Sequence, residues 1–188
     1  MATFRTSQVV SALDPSRPHI VLVGLPGAGK STVGMRAAEK AGRSFLDLDR
    51  EIERREGQTV AEIFAQKGEP AFRQMERDLT AELTTIGGMI VAPGGGWIAD
   101  PENVAKLAGH SILVWLKVFP ETAIARLKKE TTVRPLLQRP EPLVELRKLL
   151  QQREPLYAKA AHTIDTDKVS VDETVRRVAE LAGGVGRV

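Results

Sequence analysis

The hydrophobic residues of this chain fall into short apolar runs separated by longer amphipathic stretches. The runs cover residues 20–23, 45–48, 89–92 and 111–118, and a last short run is centred on Ile164. They are continuous and do not alternate with polar residues, which is typical of parallel strands covered by helices on both faces. We therefore predict βαβ units and a three-layer α/β/α fold around a five-stranded parallel sheet.

Helix signals occur between these runs. The stretch 30–41 is the first predicted helix. Thr59 and Glu62 have the spacing of a capping box, which marks a new helix start inside the helical block at 49–84. That block therefore contains at least two predicted helices. Asp100 is a predicted N-cap, because a proline follows it at the first helical turn.

The length of 188 residues fits a single domain, which we place at 1–188. We expect residues 1–18 and 183–188 to be frayed, because chain ends are often poorly ordered. Residues 130–142 contain several prolines and neither a helical nor a strand pattern. Such a connection is typical of a mobile lid over an active site.

Composition excludes several classes of function. The chain has no cysteine, which excludes disulfides, thiolate catalysis and cysteine-based zinc sites. The net charge of +3 is too small to indicate a nucleic-acid partner. No apolar run is long enough to span a bilayer, so we expect no membrane partner. We predict a cytoplasmic monomer.

One motif indicates phosphate binding. Residues 24–31 read Gly-Leu-Pro-Gly-Ala-Gly-Lys-Ser and match the P-loop pattern in full, between an apolar run and a predicted helix. Backbone N–H groups and the helix N-terminus would cradle the phosphates, and Lys30 would add a point charge. The hydroxyl of Ser31 is placed for Mg²⁺. A chance glycine turn is disfavoured because both flanking elements fit. The predicted nucleotide-binding residues of this motif are Gly27, Ala28, Gly29, Lys30, Ser31 and Thr32.

The carboxylate for a metal ion has to come from a second segment. The run at 89–92 leads into Pro93 and glycines and carries no acid, so Asp47 and Asp49 are the natural source. Alternate residues of an extended strand share a face, so both can point to the carboxyl edge of the sheet. One would then face the metal and the other the substrate. The alternative is that Asp49 caps a helix beginning near Arg50.

Three arginines are candidates for anion binding. Arg73 has Glu76 three residues on, a spacing at which the carboxylate can hold the guanidinium in one rotamer. A fixed guanidinium suits bidentate contact with a substrate carboxylate, although an ordinary surface pair is the alternative. Arg134, in the predicted lid, can close over the transferred phosphoryl group. Arg153, near the end of a predicted helix, is a third candidate or a solvated helix charge.

A glycine triplet follows the run at 89–92. Gly94, Gly95 and Gly96 would let the backbone approach a ligand closely with its N–H donors exposed, so we include all three among the substrate-binding residues. The alternative is a flexible connection.

In order and rough spacing these segments resemble the shikimate kinase family, from about Pro18 to about Leu181. Six segments match in order, which makes coincidence implausible. The matching stretches are 24–32, 45–49 with 51–53, 68–73 with Glu76, 94–96, 134–137, and Arg153 with Tyr157.

The resemblance implies ATP-dependent phosphorylation of the 3-hydroxyl of shikimate, in chorismate biosynthesis, with strand order 2-3-1-4-5. It implies that Asp49, Arg73, Gly95 and Arg153 contact shikimate. The two arginines would bind its carboxylate, and Asp49 would bind its hydroxyls. Asp49 would orient the attacking hydroxyl and accept its proton. By the same resemblance Asp47 and Ser31 serve Mg²⁺, and Lys30 and Arg134 bind the phosphates of ATP.

The family also has an arginine that stacks on adenine shortly before the lid. Here the chain offers Arg126, Lys128 and Lys129, and the choice among them stays open.

Two rival classes remain. The first comprises gluconate-type and nucleoside monophosphate kinases, which also combine a P-loop with a lid. Residues 51–55 lack the His-Pro pattern of gluconate kinases. The region after the glycine triplet lacks the acidic, arginine-paired lid of adenylate kinases. A non-catalytic sensor domain on the same fold is the second. Intact Lys30, Asp47, Asp49 and Arg134 argue against lost catalysis.

Overall fold

A computed structural model of the protein describes Asp14, residues 16–129 and residues 140–183. The strands are β1 (His19–Val23), β2 (Phe45–Asp47), β3 (Ile90–Ala92), β4 (Ser111–Lys117) and β5 (His162–Asp165). The helices are α1 (Lys30–Ala41), α2 (Leu48–Glu56), α3 (Val60–Leu83), α4 (Pro101–Leu107), α5 (Pro120–Leu127), α6 (Pro142–Tyr157) and α7 (Val171–Gly183), with a short 3₁₀ turn at Trp97–Ala99.

The strands form one parallel sheet in the order β2-β3-β1-β4-β5, which confirms the predicted topology. Every residue of β1 is buried, as expected for a central strand with helices on both faces. Helix α1 packs closely on the sheet at Gly34, where a Cβ would lie 2.5 Å from the ring of Phe45. Because the strands are parallel, their carboxyl ends meet at one edge, where ligands of such sheets bind.

His19 is the first residue of β1 and lies at the opposite edge of the sheet, where the strands begin. Its imidazole is fully buried, and Nδ1 accepts a hydrogen bond from the N–H of Met89 at 3.3 Å. Nε2 therefore carries the proton and donates to the carbonyls of Leu83 and Ile86, each at 3.0 Å. The neutral ring thus ties β1 to the end of α3 and the start of β3. Burial lowers the pKa of His19 below its ordinary value of 6.5.

The helical block after β2 contains two helices, as predicted. Gly57 ends α2, and Thr59 and Glu62 form a complete capping box at the start of α3. Gly68 then interrupts α3 with φ 80° and ψ 164°, a combination that essentially only glycine adopts. Pro70 lies just beyond the interruption. The kink separates the capped first part of α3 from the part that faces the carboxyl edge of the sheet.

The prediction for the residues after Phe45 was partly wrong. Strand β2 ends at Asp47, and Asp49 lies in the first turn of α2, so the two acids are not alternate residues of one strand. Asp47 is the N-cap of α2, because its Oδ1 accepts from the N–H of Arg50 at 3.3 Å. The alternative role of Asp49 as a helix cap is therefore also wrong. Because the last residue of the strand is itself the cap, Asp49 is left available to face the sheet edge.

Most of the predicted lid at 130–142 lies outside the described residues, as do most of the predicted frayed ends. In the described part of the chain, no helix combines the length and apolar character that a membrane span requires.

Candidate active site

The phosphate loop, residues 24–29, connects β1 to α1 at the carboxyl edge of the sheet. Gly24 and Gly27 have φ values of 146° and 81°, which side chains rarely tolerate. A Cβ on Gly24 would lie 2.5 Å from the carbonyl oxygen of Leu116, and one on Gly27 would lie 2.5 Å from that of Ala123. The loop is therefore held tightly against the end of β4 and the start of α5. Its backbone conformation depends on these glycines.

Lys30 is the first residue of α1, and its ammonium group lies back over the loop. Nζ donates to the carbonyl oxygens of Gly24 at 2.9 Å and Leu25 at 3.1 Å. This position holds the positive charge at the mouth of the loop, next to the N-terminus of α1. Both features favour an anion there.

Ser31 and Asp47 meet beside the loop. Ser31 Oγ donates to Asp47 Oδ2 at 2.6 Å, so a hydroxyl and a carboxylate from α1 and β2 are in direct contact. Hard oxygen ligands of this kind suit Mg²⁺, which usually keeps several waters and takes few protein ligands. The pair fits a magnesium ion shared with phosphate oxygens.

Asp49 lies close to the first glycine of the triplet. Its Oδ1 is buried and has no hydrogen-bond partner among the described residues. A Cβ on Gly94 would lie only 2.5 Å from that oxygen. Burial, together with the nearby charge of Asp47, raises the pKa of Asp49 to about 6, against the lowering effect of Lys30. A buried carboxylate oxygen without a donor is a strong acceptor for a ligand hydroxyl.

Arg73 is held by two carboxylates on its own helix. Nη1 donates to Glu76 Oε2 at 2.5 Å, and Nη2 and Nε donate to Glu69 Oε1 at 2.8 and 3.1 Å. Glu76 is fully buried, so the alternative of an ordinary surface pair is wrong. Burial raises the pKa of Glu76 to about 7, against the lowering effect of Arg73. The guanidinium is therefore fixed in one orientation.

The three glycines after β3 form a turn, Gly94–Gly96, which we call the glycine turn. The N–H of Trp97 closes it by donating to the carbonyl of Gly94 at 3.1 Å. A Cβ on Gly96 would lie 2.5 Å from both Nη atoms of Arg73. Gly96 has an ordinary φ of −84°, so it is needed for space and not for backbone freedom. The turn is thus a packed surface and not a flexible connection.

Arg153 reaches the same turn from α6. Its Nη1 donates to the carbonyl oxygen of Gly95 at 2.6 Å. Four residues on, the ring of Tyr157 is fully buried and stacks on Trp115 of β4, with 5.7 Å between ring centroids. The stacking anchors this end of α6 to the sheet, which places Arg153 at the glycine turn. Each glycine therefore faces one candidate side chain, in the order Asp49, Arg153 and Arg73.

Two predicted features are not part of this cluster. Arg134 lies outside the described residues. The guanidinium of Arg126 donates to the side-chain and backbone oxygens of Thr166, the residue after β5, at 3.0 and 2.8 Å. Of the three candidates for the adenine contact, Arg126 is thus bonded to Thr166, and Lys128 and Lys129 are exposed.

Other contacts of the site were not predicted. Glu69 binds Arg73 at i, i−4, a spacing that could have suggested it. Thr80 and Trp97 form a buried hydrogen bond across 17 positions, and no local pattern indicates it.

A P-loop follows the central strand of this parallel sheet. Two carboxylates, Asp47 and Asp49, and two arginines fixed by hydrogen bonds lie at the same edge. This combination defines a small-molecule P-loop kinase. Comparisons with known proteins narrow the class. The model of the family described as shikimate kinase matches residues 26–182. The chain belongs to the shikimate kinase family.

Individual relatives agree with this assignment. A shikimate kinase of Symbiobacterium thermophilum is 42% identical over 164 residues, with 86% of this chain and 94% of the relative covered. One of Thermobifida fusca is 43% identical over 172 residues, with 91% and 98% covered. The fold of a shikimate kinase from Acinetobacter baumannii, solved in complex with shikimate, matches with a TM-score of 0.83 at 38% identity, covering 93% of this chain and 97% of that one.

Proposed function

We propose that this protein is a shikimate kinase that transfers the γ-phosphoryl group of ATP to the 3-hydroxyl of shikimate. The observation that supports this most is the glycine turn, which brings Asp49, Arg153 and Arg73 to one short backbone segment beside the phosphate loop. Two guanidinium groups suit the carboxylate of the acceptor, and the unpaired oxygen of Asp49 suits its hydroxyl.

Asp49 acts on the attacking hydroxyl. The hydroxyl oxygen forms a bond to the γ-phosphorus while the bond from that phosphorus to the bridging oxygen of ADP breaks. The hydroxyl proton passes to Asp49, and ADP leaves with the bonding electrons. Phosphoryl transfer of this kind depends on positioning and charge stabilisation, so Asp49 mainly orients the hydroxyl and takes the proton late.

Arg73 and Arg153 bind the carboxylate of shikimate away from the reacting oxygen. Glu69 and Glu76 hold Arg73 in place before the substrate arrives, so little side-chain entropy is lost on binding. Remote binding energy of this kind fixes the orientation of the hydroxyl at the chemistry. The carbonyl of Gly95 performs the same holding role for Arg153.

Lys30 and the phosphate-loop N–H groups bind the phosphates of ATP, and Arg134 is proposed to reach them from the lid. Ser31 and Asp47 are the residues that would hold Mg²⁺. When bound, the ion neutralises charge on the β- and γ-phosphates. We further propose a cytoplasmic monomer that has no nucleic-acid or membrane partner.

A coupled assay for ADP release tests the proposal directly. The protein is assayed with ATP and shikimate, gluconate or a nucleoside monophosphate as acceptor, and a reaction without acceptor gives the background. We expect ADP release with shikimate alone, together with shikimate 3-phosphate in the product. Turnover of gluconate or a nucleotide in place of shikimate would contradict the proposed acceptor. No turnover with any of them, combined with shikimate binding, would favour a non-catalytic sensor.

A gluconokinase from Sinorhizobium meliloti shares the fold at a TM-score of 0.54 and 19% identity. At that identity the likeness extends to the fold alone, so it does not support gluconate as the acceptor.

A further inference from the structure

Trp97 and Thr80 link the glycine turn to helix α3. Trp97 directly follows Gly96, and its indole Nε1 donates to Thr80 Oγ1 at 2.9 Å. The same hydroxyl donates its own proton to the carbonyl oxygen of Glu76 at 2.7 Å. Thr80 is fully buried and Trp97 almost so, and the hydroxyl therefore uses both its proton and a lone pair inside the protein.

The link belongs to a longer contact along one face of α3. Arg73, Arg77 and Thr80 follow one another at helical spacing and so share that face. Arg77 Nε donates to Asp100 Oδ2 at 2.7 Å, and Asp100 caps α4. With the Thr80 bond, this ion pair holds segment 97–100 on α3. The backbone that leaves the glycine turn is thus attached to the helix that carries Arg73.

Little space separates the glycine turn from Arg73. A Cβ on Gly96 would lie 2.5 Å from both Nη atoms, so even the smallest side chain does not fit between them. Because Trp97 directly follows Gly96, a small displacement of Trp97 would change the position of Gly96 relative to the guanidinium of Arg73. Carboxylate recognition by a guanidinium is directional and tolerates misplacement of only about half an ångström.

We propose that Thr80 and Trp97 are positioning residues for the substrate carboxylate. Their hydrogen bond sets the distance between the glycine turn and α3, and thereby the shape of the pocket at Arg73 and Gly95. This inference rests on the proposed function, since it assumes that this pocket takes the carboxylate of shikimate. Neither side chain touches the phosphate loop or Asp49 in the contacts described above, so the effect is on acceptor binding.

The test measures steady-state kinetics of Thr80→Val, Thr80→Ser and Trp97→Phe with ATP and shikimate. Thr80→Val keeps the shape but removes the acceptor of the indole N–H, and we expect a rise in the shikimate KM of about tenfold. The ATP KM should be unchanged and kcat within about twofold. Thr80→Ser restores the hydroxyl and should return the shikimate KM to within about twofold of the wild-type value.

Trp97→Phe provides an independent variant. It removes the donor and leaves the bond from Thr80 to Glu76 intact, so the Thr80 hydroxyl keeps one partner and no buried polar group is left without any. We expect it to fold and to raise the shikimate KM in the same way. Unchanged shikimate KM values in both Thr80→Val and Trp97→Phe would overturn the proposal.

Thr174→Val is the matched control. Thr174 is also a buried threonine in a helix, and its hydroxyl donates to the carbonyl of Ser170 at 2.9 Å. We expect Thr174→Val to lower the Tm about as much as Thr80→Val does, without a change in the shikimate KM. An equal rise in KM in this control would show a general loss of stability and overturn the proposal. Absence of shikimate turnover by the wild-type protein would instead contradict the proposed function.

Discussion

The phosphate loop and the acceptor side of the site are built in different ways. The phosphate loop is one contiguous segment whose backbone lies against β4 and α5, and its chemistry depends on consecutive residues. The acceptor side collects single side chains from α2, α3 and α6 around the glycine turn. The phosphate half is therefore a local structure, whereas the acceptor half exists only when distant elements are packed correctly.

Asp49→Asn should produce the largest effect, because it removes the proton acceptor and keeps the size of the side chain. We expect kcat to fall by about 10²- to 10⁴-fold with little change in the ATP KM. Single-turnover and steady-state measurements of ADP formation would test this. Asp78→Asn, on an exposed part of α3, is the control and should retain normal kcat. Near-normal turnover of Asp49→Asn would remove the proposed role.

Arg73→Ala should change the KM for shikimate but not the KM for ATP, and so distinguish the acceptor side from the phosphate loop. We expect weaker binding of shikimate by about 2–5 kcal/mol, because the substrate carboxylate loses a buried partner. The ATP KM should change little, since Arg73 contacts the acceptor side only. Arg177→Ala, which removes an exposed ion pair on α7, is the control. Equal weakening of ATP and shikimate binding in Arg73→Ala would contradict the separation.

Alanine substitutions in the glycine turn should differ by position. Gly94→Ala places a methyl group against Asp49 and should mainly lower kcat, whereas Gly96→Ala places one against Arg73 and should mainly raise the shikimate KM. We expect changes of about tenfold in each case. Gly95→Ala, whose Cβ would lie 3.4 Å from Arg153, should have the mildest effect. The same kinetic change in all three variants would show that the turn is simply disrupted.

His19→Gln should change stability and leave both halves of the site intact, because His19 lies at the opposite edge of the sheet. The folded state keeps the ring neutral, so between its lowered pKa and 6.5 the unfolded state binds more protons and stability increases with pH. We expect the variant to be less stable by about 1–3 kcal/mol at pH 7.5.

The stability difference between wild type and His19→Gln should narrow as the pH falls below about 6.5, because only the wild type has the ring to protonate. Urea unfolding of both proteins at several pH values measures this difference in the free energy of unfolding. A constant difference across that range would contradict a buried neutral imidazole, and altered KM values would contradict its separation from the site.

Much of the fold follows from local patterns. Apolar runs without alternation predicted the parallel sheet, and the capping box at Thr59 and Glu62 marked the start of α3 correctly. The position of Asp49 was predicted less well. The apolar run predicted a strand as far as Leu48, but a cap at Asp47 ends the strand one residue earlier. Strand ends are hard to predict, because a single capping hydrogen bond decides them.

By itself, the sequence determined the phosphate loop and the alternation of strands and helices along the chain, because these depend on residues that are near neighbours in the chain. The candidate residues of the acceptor side came from the resemblance to the shikimate kinase family. The packing of distant segments was needed to show that each glycine of the turn faces one of Asp49, Arg153 and Arg73. The structure also revealed the hydrogen bonds between Trp97 and Thr80 and between Arg126 and Thr166. Close packing between distant segments decides such contacts, and no local propensity encodes it.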